Sequence, residues 1–278
     1  MRKPTIAIVG AGNLARAMAP ALRRAGYRIT DVVVRERAES RRRGSALARE
    51  VGARIATTGP LRSDVLWICV TDDAIGRMAR ELARRWSGRI ALHSSGALSS
   101  AELAPLRKKG AAVASLHPMM TFVERATPSL AGVPFAVEGD PAAVRVGRRI
   151  AEDLGGSVFS IASRGKTLYH AMGSFSSPLV IATLAMAERI GQAAGIAKKH
   201  VPKVIEPILR QTLKNYWRGG AAKAFSGPIV RADLRTVRRH LRELRKVPGA
   251  RAIYVALARS AVGNFPVRDP KSLRKILG

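Results

Sequence analysis

The sequence predicts an α/β protein in which a doubly wound, mostly parallel sheet is followed by an all-α C-terminal domain. Up to about residue 162, short β-rich runs alternate with helical runs, which is typical of a sheet covered by helices on both faces. After residue 163 clear strand signals end and long helical runs follow. The 278 residues suffice for two domains, which we place at 1–162 and 163–278.

The first predicted strand, 5–9, has almost no polar residues, as expected of a strand buried on both faces. The later strands are predicted at 31–34, 65–70, 89–93, 112–116, 135–138 and 157–161. Helices are predicted at 13–24, 38–51, 74–86, 99–109, 166–194, 200–218, 233–244 and 251–262. The run 166–194 is rich in Ala, Gly, Ser and Met, and it is expected to be buried at a domain or subunit interface.

The N-terminal segment fits two interpretations. Arg2 and Lys3 before an apolar run, followed by Ala17-Met18-Ala19, resemble a secretory signal peptide. However, the run Gly-Ala-Gly-Asn at 10–13 interrupts the continuous apolar helix that a signal peptide needs. The same glycines lie between a predicted strand and a predicted helix, the context of a Rossmann-type dinucleotide-binding turn. We therefore favour a nucleotide site.

In this turn, Gly10 permits the tight bend and Gly12 lets the backbone approach a pyrophosphate, with Ala15 at the third small position. The start of the following helix, Asn13 and Leu14, is expected to hold the phosphate through backbone N–H groups.

The end of the second strand distinguishes NADP from NAD. Arg35 and Arg37 can hold a 2′-phosphate by charge-assisted hydrogen bonds, whereas Glu36 between them could serve an NAD ribose. The two arginines, with three more at 41–43, favour NADP. After the third strand, Val70 and Thr71 are expected to contact the nicotinamide half, although Thr71 could equally begin the next helix.

The net charge of +30 favours polyanions as partners. This charge is spread along the whole chain and aromatic residues make up only 5%, so we expect nucleic acid to be an unlikely partner.

The single cysteine, Cys69, suits a reducing cytosol. The longest later apolar stretch, 178–187, is shorter than the ~20 residues that span a bilayer, so no membrane association is expected. No metal site is predicted.

Four motifs carry a resemblance to a known family. The sequence resembles Rossmann-like bacterial oxidoreductases with a C-terminal helical domain of unknown function, which are related to pyrroline-carboxylate reductases and β-hydroxyacid dehydrogenases. The motifs are His93-Ser94-Ser95-Gly96-Ala97-Leu98, Ser115-Leu116-His117-Pro118-Met119, Tyr169-His170-Ala171 and Gly227-Pro228-Ile229-x-Arg231-x-Asp233. The resemblance implies an NADP-linked oxidoreductase that dimerises through its helical domain, and it implies no particular substrate. The sequence departs from the family pattern at Met120, Pro178 and Ala232, where glutamine, asparagine and glycine are common.

Lys166, Tyr169 and His170 are the predicted catalytic residues. Their spacing of i, i+3 and i+4 places them on one face of a helix. In β-hydroxyacid dehydrogenases a lysine followed three and four residues later by asparagines serves the substrate, and here a tyrosine and a histidine stand at those places. All three side chains can donate a proton, which reduction of C=O or C=N requires. The alternative is a polar helix start that faces solvent.

Further candidates follow the strands, at the edge where doubly wound sheets bind ligands. Ser94 and Ser95 suit hydrogen bonds to the cofactor, which we favour, or to a carboxylate. His93 and His117 are expected to bind the substrate, although single histidines are often structural. Arg231 is expected to orient an anionic substrate.

Together these features predict an NADP-dependent reductase or dehydrogenase that transfers a hydride between NADPH and a small polar C=O or C=N substrate, in a cytoplasmic homodimer. The alternatives are a non-catalytic NADP-binding sensor or scaffold and, less favoured, a nucleic-acid-binding protein.

Overall fold

The computed structural model describes residues 2–124 and 128–278. The chain divides into two compact units, Met1–Ser177 and Pro178–Gly278. The segment 163–177, which we assigned to the helical domain, belongs to the first unit in this division. The domain boundary at residue 162 stays a prediction.

The first unit is built on one eight-stranded sheet with the order β3-β2-β1-β4-β5-β6-β7-β8. The strands are β1 Ile6–Val9, β2 Ile29–Val33, β3 Arg54–Ala56, β4 Val65–Ile68, β5 Ile90–His93, β6 Ala112–Pro118, β7 Pro134–Gly139 and β8 Ser157–Ser160. The strands from β3 to β6 are mutually parallel, and β7 pairs antiparallel to β6. The sheet is therefore mainly parallel, with helices packed on it, as the alternating pattern predicted.

Helices cover both faces of this sheet. They are α1 Asn13–Arg24, α2 Ala38–Val51, α3 Asp72–Leu82, α4 Ala104–Arg107 and α5 Pro141–Asp153, and α6 Lys166–Ser176 follows β8. One apolar core lies between the sheet and α1, α2 and α5, and a second lies on the face that α3 and α4 cover. The strands β1, β4 and β5 are fully buried because they contact both cores, which explains why their sequences are apolar except for His93 at the end of β5.

Several elements of this unit differ from the sequence prediction. The predicted helix 99–109 is a short 3₁₀ turn followed by the four residues of α4. Strand β3 was not predicted because it has three residues at the sheet edge and an exposed arginine at its start. Helix α5 was also missed, although Pro141 occupies its first position, where proline is favoured.

The second unit is all-helical, with α7 Pro178–Ala193, α8 Val201–Ala224, α9 Leu234–Glu243, α10 Ala250–Asn264 and α11 Pro270–Leu277. Its core includes buried residues of α9, α10 and α11. The prediction of one helix over 166–194 was wrong: Ser177 has φ −136° and ψ −84°. Proline at 178 has no N–H to donate and disfavours helical backbone at the preceding residue, which separates α6 from α7. Helix α11 was not predicted.

The helical run Ser163–Ala193 is long and apolar enough to cross a membrane by length and composition, and its most apolar stretch is not buried. This single run is weak evidence, and the expectation of no membrane association stays a prediction.

Candidate functional site

A cleft of about 570 Å³ lies beside the glycine turn, at the carboxyl ends of β1, β2 and β4. In the sheet, β1 lies between β2 and β4. The loops that leave these strands therefore turn in opposite directions, and the cleft lies between them. Among its lining residues are Gly10, Gly12, Asn13, Leu14, Arg35, Arg43, Val70, Thr71 and Arg77.

The glycines have the geometry that a dinucleotide requires. Gly10 has φ +107°, and a Cβ there would overlap the carbonyl oxygen of Cys69, so only glycine fits this bend. At Gly12, by contrast, a Cβ would meet nothing within 4 Å, so the backbone borders open space. Gly12 precedes the first turn of α1, which contains no acidic residue. This open helix start suits a pyrophosphate.

The arginines at the cleft differ in part from those predicted. Arg35 lines it, whereas Arg37 precedes α2 and is not among the lining residues. Arg43, one of the three arginines at 41–43 that favoured NADP, lines the cleft, as does Arg77, which the sequence analysis did not name. Glu39 also lines it, and its carboxylate accepts a hydrogen bond from Nε of Arg43 at 2.6 Å. The ion pair with Arg43 offsets the negative charge of Glu39 in the cleft.

The remaining cleft candidates are placed as follows. Asn13 begins α1, and its side-chain amide donates to the backbone oxygen of Phe122 at 3.1 Å. Thr71 stands directly before α3 and its side chain makes no capping hydrogen bond. The contact of Val70 and Thr71 with a nicotinamide stays a prediction. Cys69 is buried, which raises the pKa of its thiol to about 12.

Three candidates after β5 are buried and already bonded within the protein. The hydroxyl of Ser94 accepts a hydrogen bond from the indole N–H of Trp67 at 2.7 Å. The hydroxyl of Ser95 accepts from the N–H groups of residues 97 and 98. Both ring nitrogens of His93 are engaged, Nδ1 by the N–H of Ser95 and Nε2 by the oxygen of Ser99. These serines are not among the cleft residues, so the geometry gives no support to a cofactor role for them or to a substrate role for His93.

Lys166 is also buried, with 1% of its surface exposed. Its ammonium donates to the backbone oxygen of Ser95 at 2.9 Å and to the hydroxyl of Ser115 at 2.6 Å. It therefore joins the start of α6 to the loop after β5 and to β6. Burial lowers its pKa, and the negative charge of Glu138 acts in the opposite direction.

Glu138 is a residue that the sequence analysis missed. It is buried on β7, and its carboxylate accepts hydrogen bonds from the N–H and hydroxyl of Ser100 and from the hydroxyl of Ser163. A carboxylate inside the apolar run of β7 was the available signal, because buried acids are rare unless they are paired. It stabilises the loop that leads into α6.

His117, Tyr169 and His170 form a second cluster at the carboxyl end of β6. Nδ1 of His117 lies 2.8 Å from the hydroxyl of Tyr169, and the His117 ring lies 6.3 Å from that of His170. A Cβ at Gly96 would lie 2.7 Å from Cδ2 of His170 and 2.8 Å from Nε2 of His117. Gly96 therefore lets both rings approach the loop after β5. Tyr169 is 7% exposed, whereas His170 is exposed.

The electrostatics of this cluster keep the half-buried His117 and the buried Tyr169 neutral. Burial, with a smaller contribution from the charge of Lys166, lowers the pKa of His117 to about 4. Burial raises the pKa of Tyr169 to about 12. At neutral pH the pair is therefore an uncharged imidazole hydrogen-bonded to a protonated phenol.

Arg231 belongs to the second unit, in the loop before α9, and it is exposed. Its role toward a substrate stays a prediction. Asp233 in the same loop caps α9 by accepting from the N–H of Thr236 at 3.0 Å. Over residues 2–124 and 128–278, no cluster of three or more metal-ligating side chains is found.

Two family models match the chain. Residues 2–118 match a Rossmann-like domain, and residues 133–261 match a domain of unknown function, DUF2520. The chain thus carries a Rossmann-like domain followed by a DUF2520 domain, as the motif resemblance indicated. The sequence matches none of the curated proteins.

Solved structures share this fold over nearly the whole chain. A provisionally assigned NADP oxidoreductase from Bacteroides fragilis is 22% identical with a TM-score of 0.76, covering 93% of this chain and 97% of that one. Protein TM1727 from Thermotoga maritima is 25% identical with a TM-score of 0.71, covering 98% of both chains. An imine reductase from Myxococcus stipitatus, solved with NADP⁺, is 19% identical with a TM-score of 0.69, covering 99% of this chain and all of that one. More distant matches include pyrroline-5-carboxylate reductases.

Proposed function

We propose that this chain, a Rossmann-like domain followed by a DUF2520 domain, is an NADP-dependent reductase of small polar C=N or C=O compounds. The hydrogen-bonded pair of His117 and Tyr169 at the carboxyl edge of the dinucleotide-type sheet carries the proposal. Structural neighbours include an imine reductase solved with NADP⁺, a reductive aminase solved with NADPH, and pyrroline-5-carboxylate reductases.

The cofactor in this proposal is NADP. The glycine turn accommodates a pyrophosphate, as argued from Gly10 and Gly12. Arg35 at the end of β2 and Arg43 on α2 supply guanidinium groups for a 2′-phosphate, each charge-assisted hydrogen bond contributing roughly 1.5–3 kcal/mol. When bound, the nicotinamide supplies the hydride. Some neighbours bind NAD⁺, so the preference for the phosphorylated cofactor rests on these arginines.

The chain's own task is to supply the proton that accompanies the hydride. We assign this proton to the His117–Tyr169 pair. A phenol that donates to Nδ1 leaves the hydrogen of the neutral imidazole on Nε2. The described residues give Nε2 no hydrogen-bond partner, so it is free to donate its hydrogen to a substrate oxygen or nitrogen. Nδ1 takes the phenol proton in the same step, which leaves Tyr169 as a phenolate beside a neutral imidazole. The product then carries one new C–H bond and one new O–H or N–H bond.

His170 is the proposed route by which the pair recovers its proton from water. It is exposed and its ring is adjacent to that of His117. Lys166, in contrast, is a positioning residue in this scheme because its ammonium is bonded to Ser95 and Ser115 beneath the surface. Its positive charge helps to keep His117 neutral.

The proposal is tested by incubating the purified protein with NADPH and a panel of cyclic imines, ketones and aldehydes, and following NADPH consumption. Turnover of at least one C=N or C=O compound is expected. Tight NADPH binding without turnover of any compound in either direction would contradict the enzymatic function and favour a non-catalytic NADP-binding sensor.

We also propose that the chain forms a homodimer through its helical domain. Along the 24 residues of α8 only Val201 is buried, and Ile208 and Trp217 are 69% and 76% exposed. Apolar side chains of this size are rarely left in contact with water across a long helix of a monomer. Charged residues such as Lys203, Arg210 and Lys214 recur along the same helix, which favours a protein partner over lipid.

A further inference from the structure

A second cleft, of about 500 Å³, lies at the opposite edge of the sheet, where the strands begin. It is lined by Arg2, Lys3, Pro4, Thr5, Arg28, Thr30, Arg62 and Asp64. It is distinct from the cofactor cleft because parallel strands place their amino and carboxyl ends at opposite edges. Its volume falls in the range of small-molecule sites, but its lining is mainly polar and basic.

The arginines of this edge follow from the topology. Arg2, Arg28 and Arg62 precede β1, β2 and β4, which are adjacent in the sheet order β2-β1-β4. Arg89 directly precedes β5, the next strand. Neighbouring strands lie about 4.8 Å apart, so the sheet arranges these guanidinium groups as a row along its edge.

These positive charges are largely uncompensated. Among the ion pairs of the described residues, none includes Arg2, Arg28 or Arg62. Lys3, by contrast, is paired with Asp153 at 2.7 Å. The three arginines are exposed and free to contact a ligand.

The one carboxylate of the cleft is committed to the protein itself. Asp64 accepts hydrogen bonds from both the N–H and the hydroxyl of Thr5, at 2.8 Å each. These bonds hold the pKa of Asp64 below its usual value, so it stays ionised and tied to the start of β1. It fixes the loop that carries Arg62, and its single negative charge, which also interacts with Arg2 and Arg89, offsets only part of the charge of the row of arginines.

We propose that this amino edge is a second binding site, for a small ligand that carries two or more linked phosphates. One guanidinium group can donate two parallel hydrogen bonds to the oxygens of one phosphate. Several guanidinium groups in a row therefore suit a chain of linked phosphates better than a single isolated anion. The proposal does not depend on the function of the carboxyl-edge cleft.

Calorimetric titration with tripolyphosphate at physiological salt tests this assignment. Wild type is expected to bind one equivalent at this edge, and the double variant Arg28→Ala/Arg62→Ala is expected to bind roughly a hundredfold more weakly, about tenfold for each guanidinium lost. The matched control, Arg238→Ala/Arg239→Ala, removes the same charge from exposed positions of α9 and should bind as wild type does. Thermal melting verifies that each variant is folded.

Three outcomes would overturn the proposal. Equal weakening by both double variants would mean that the ligand responds only to the overall charge. Loss of binding in Arg35→Ala/Arg77→Ala, with Arg28→Ala/Arg62→Ala unaffected, would place tripolyphosphate in the cofactor cleft. Displacement of tripolyphosphate from the amino edge by a short DNA duplex at stoichiometric concentration would assign the edge to a nucleic-acid backbone and not to a small ligand.

Discussion

The hydroxyl of Tyr169 lies 2.8 Å from Nδ1 of His117 and ties the first turns of α6 to the end of β6. The two rings meet edge to face, with centroids 5.4 Å apart. The contact joins residues 52 positions apart, and it orients a histidine that burial keeps neutral. An oriented, neutral imidazole beside a protonated phenol can relay the phenol proton to a substrate, and the negative charge then rests on Tyr169 until it is protonated again.

The substitution Tyr169→Phe is therefore expected to lower turnover by about 10²–10⁴-fold while NADPH affinity changes little. The phenylalanine retains the ring contact with His117 but cannot fix its tautomer. Steady-state kinetics on the first substrate found, together with calorimetry for NADPH, measure the two effects separately.

The chain supplies a matched control for this experiment. Tyr254 on α10 also contacts a histidine, with its hydroxyl 3.2 Å from Nδ1 of His240 in the second unit. Tyr254→Phe should leave turnover within about twofold of wild type. Equal losses in the two variants would refute a specific role for Tyr169.

Cofactor preference is expected to depend on Arg35 and not on Arg37. Arg35→Ala should weaken NADPH binding by about 10–100-fold and leave NADH binding nearly unchanged, because only NADPH carries a 2′-phosphate. Arg37→Ala is the control, since this neighbouring arginine does not line the cleft. Equal affinity of wild type for NADPH and NADH would contradict the assignment of NADP.

Acid is expected to destabilise the protein through two histidines, the buried His93 and the half-buried His117. Burial lowers the pKa of both His93 and His117 from 6.5 to about 4 in the folded state. Between pH 6.5 and 4 the unfolded chain binds more protons, so the free energy of unfolding falls as pH falls across this window. The loss is at most about 3 kcal/mol for each histidine.

Chemical denaturation at several pH values measures this slope. His93→Asn should flatten it, whereas His240→Asn, at an exposed histidine, should not. Most carboxylates of the unfolded chain titrate below about pH 4.5, so their contribution is small in the upper part of the window. Identical slopes for wild type and His93→Asn would show that His93 is not the residue responsible.

The assembly prediction concerns the exposed apolar residues of α8. Light scattering is expected to show a dimer at micromolar concentration for wild type and a monomer for Ile208→Glu/Trp217→Glu, because the new charges would be buried unpaired at the interface. Val123→Glu, at an exposed apolar residue of the first unit, should remain dimeric. A wild-type monomer would contradict the proposal.

The sequence was sufficient for the fold class and for the glycine turn because both depend on local patterns. Apolar strands alternating with helices predict a parallel sheet, and Gly10 and Gly12 lie between a strand and a helix, as the cleft requires. The break between α6 and α7 was also encoded, by Pro178, but small and apolar residues on both sides concealed it.

The site was only partly predictable, because residue spacing along the chain does not show which way a side chain points. His93 ends β5 and Ser94 follows it, at the correct edge of the sheet, yet their polar atoms are bonded to Ser99 and Trp67 inside the protein. Conversely, Arg43 lines the cleft from the second turn of α2. In the sequence it is one of three consecutive arginines, and nothing there shows which of the three faces the cleft.

Ala232 offers a test of backbone strain that is independent of function. It has φ +52°, the one positive φ among the described residues other than glycine. The left-handed conformation costs alanine roughly 1–2 kcal/mol, whereas glycine adopts it freely. The greater freedom of glycine in the unfolded chain offsets about 0.4–1 kcal/mol of that gain. Ala232→Gly is therefore expected to raise the free energy of unfolding by about 0.5 kcal/mol, as measured by chemical denaturation.

The control is Ala256→Gly, at an exposed position inside α10, which should instead lower the free energy of unfolding by about 0.5–1 kcal/mol. If both variants lost the same stability, residue 232 would carry no strain that glycine relieves.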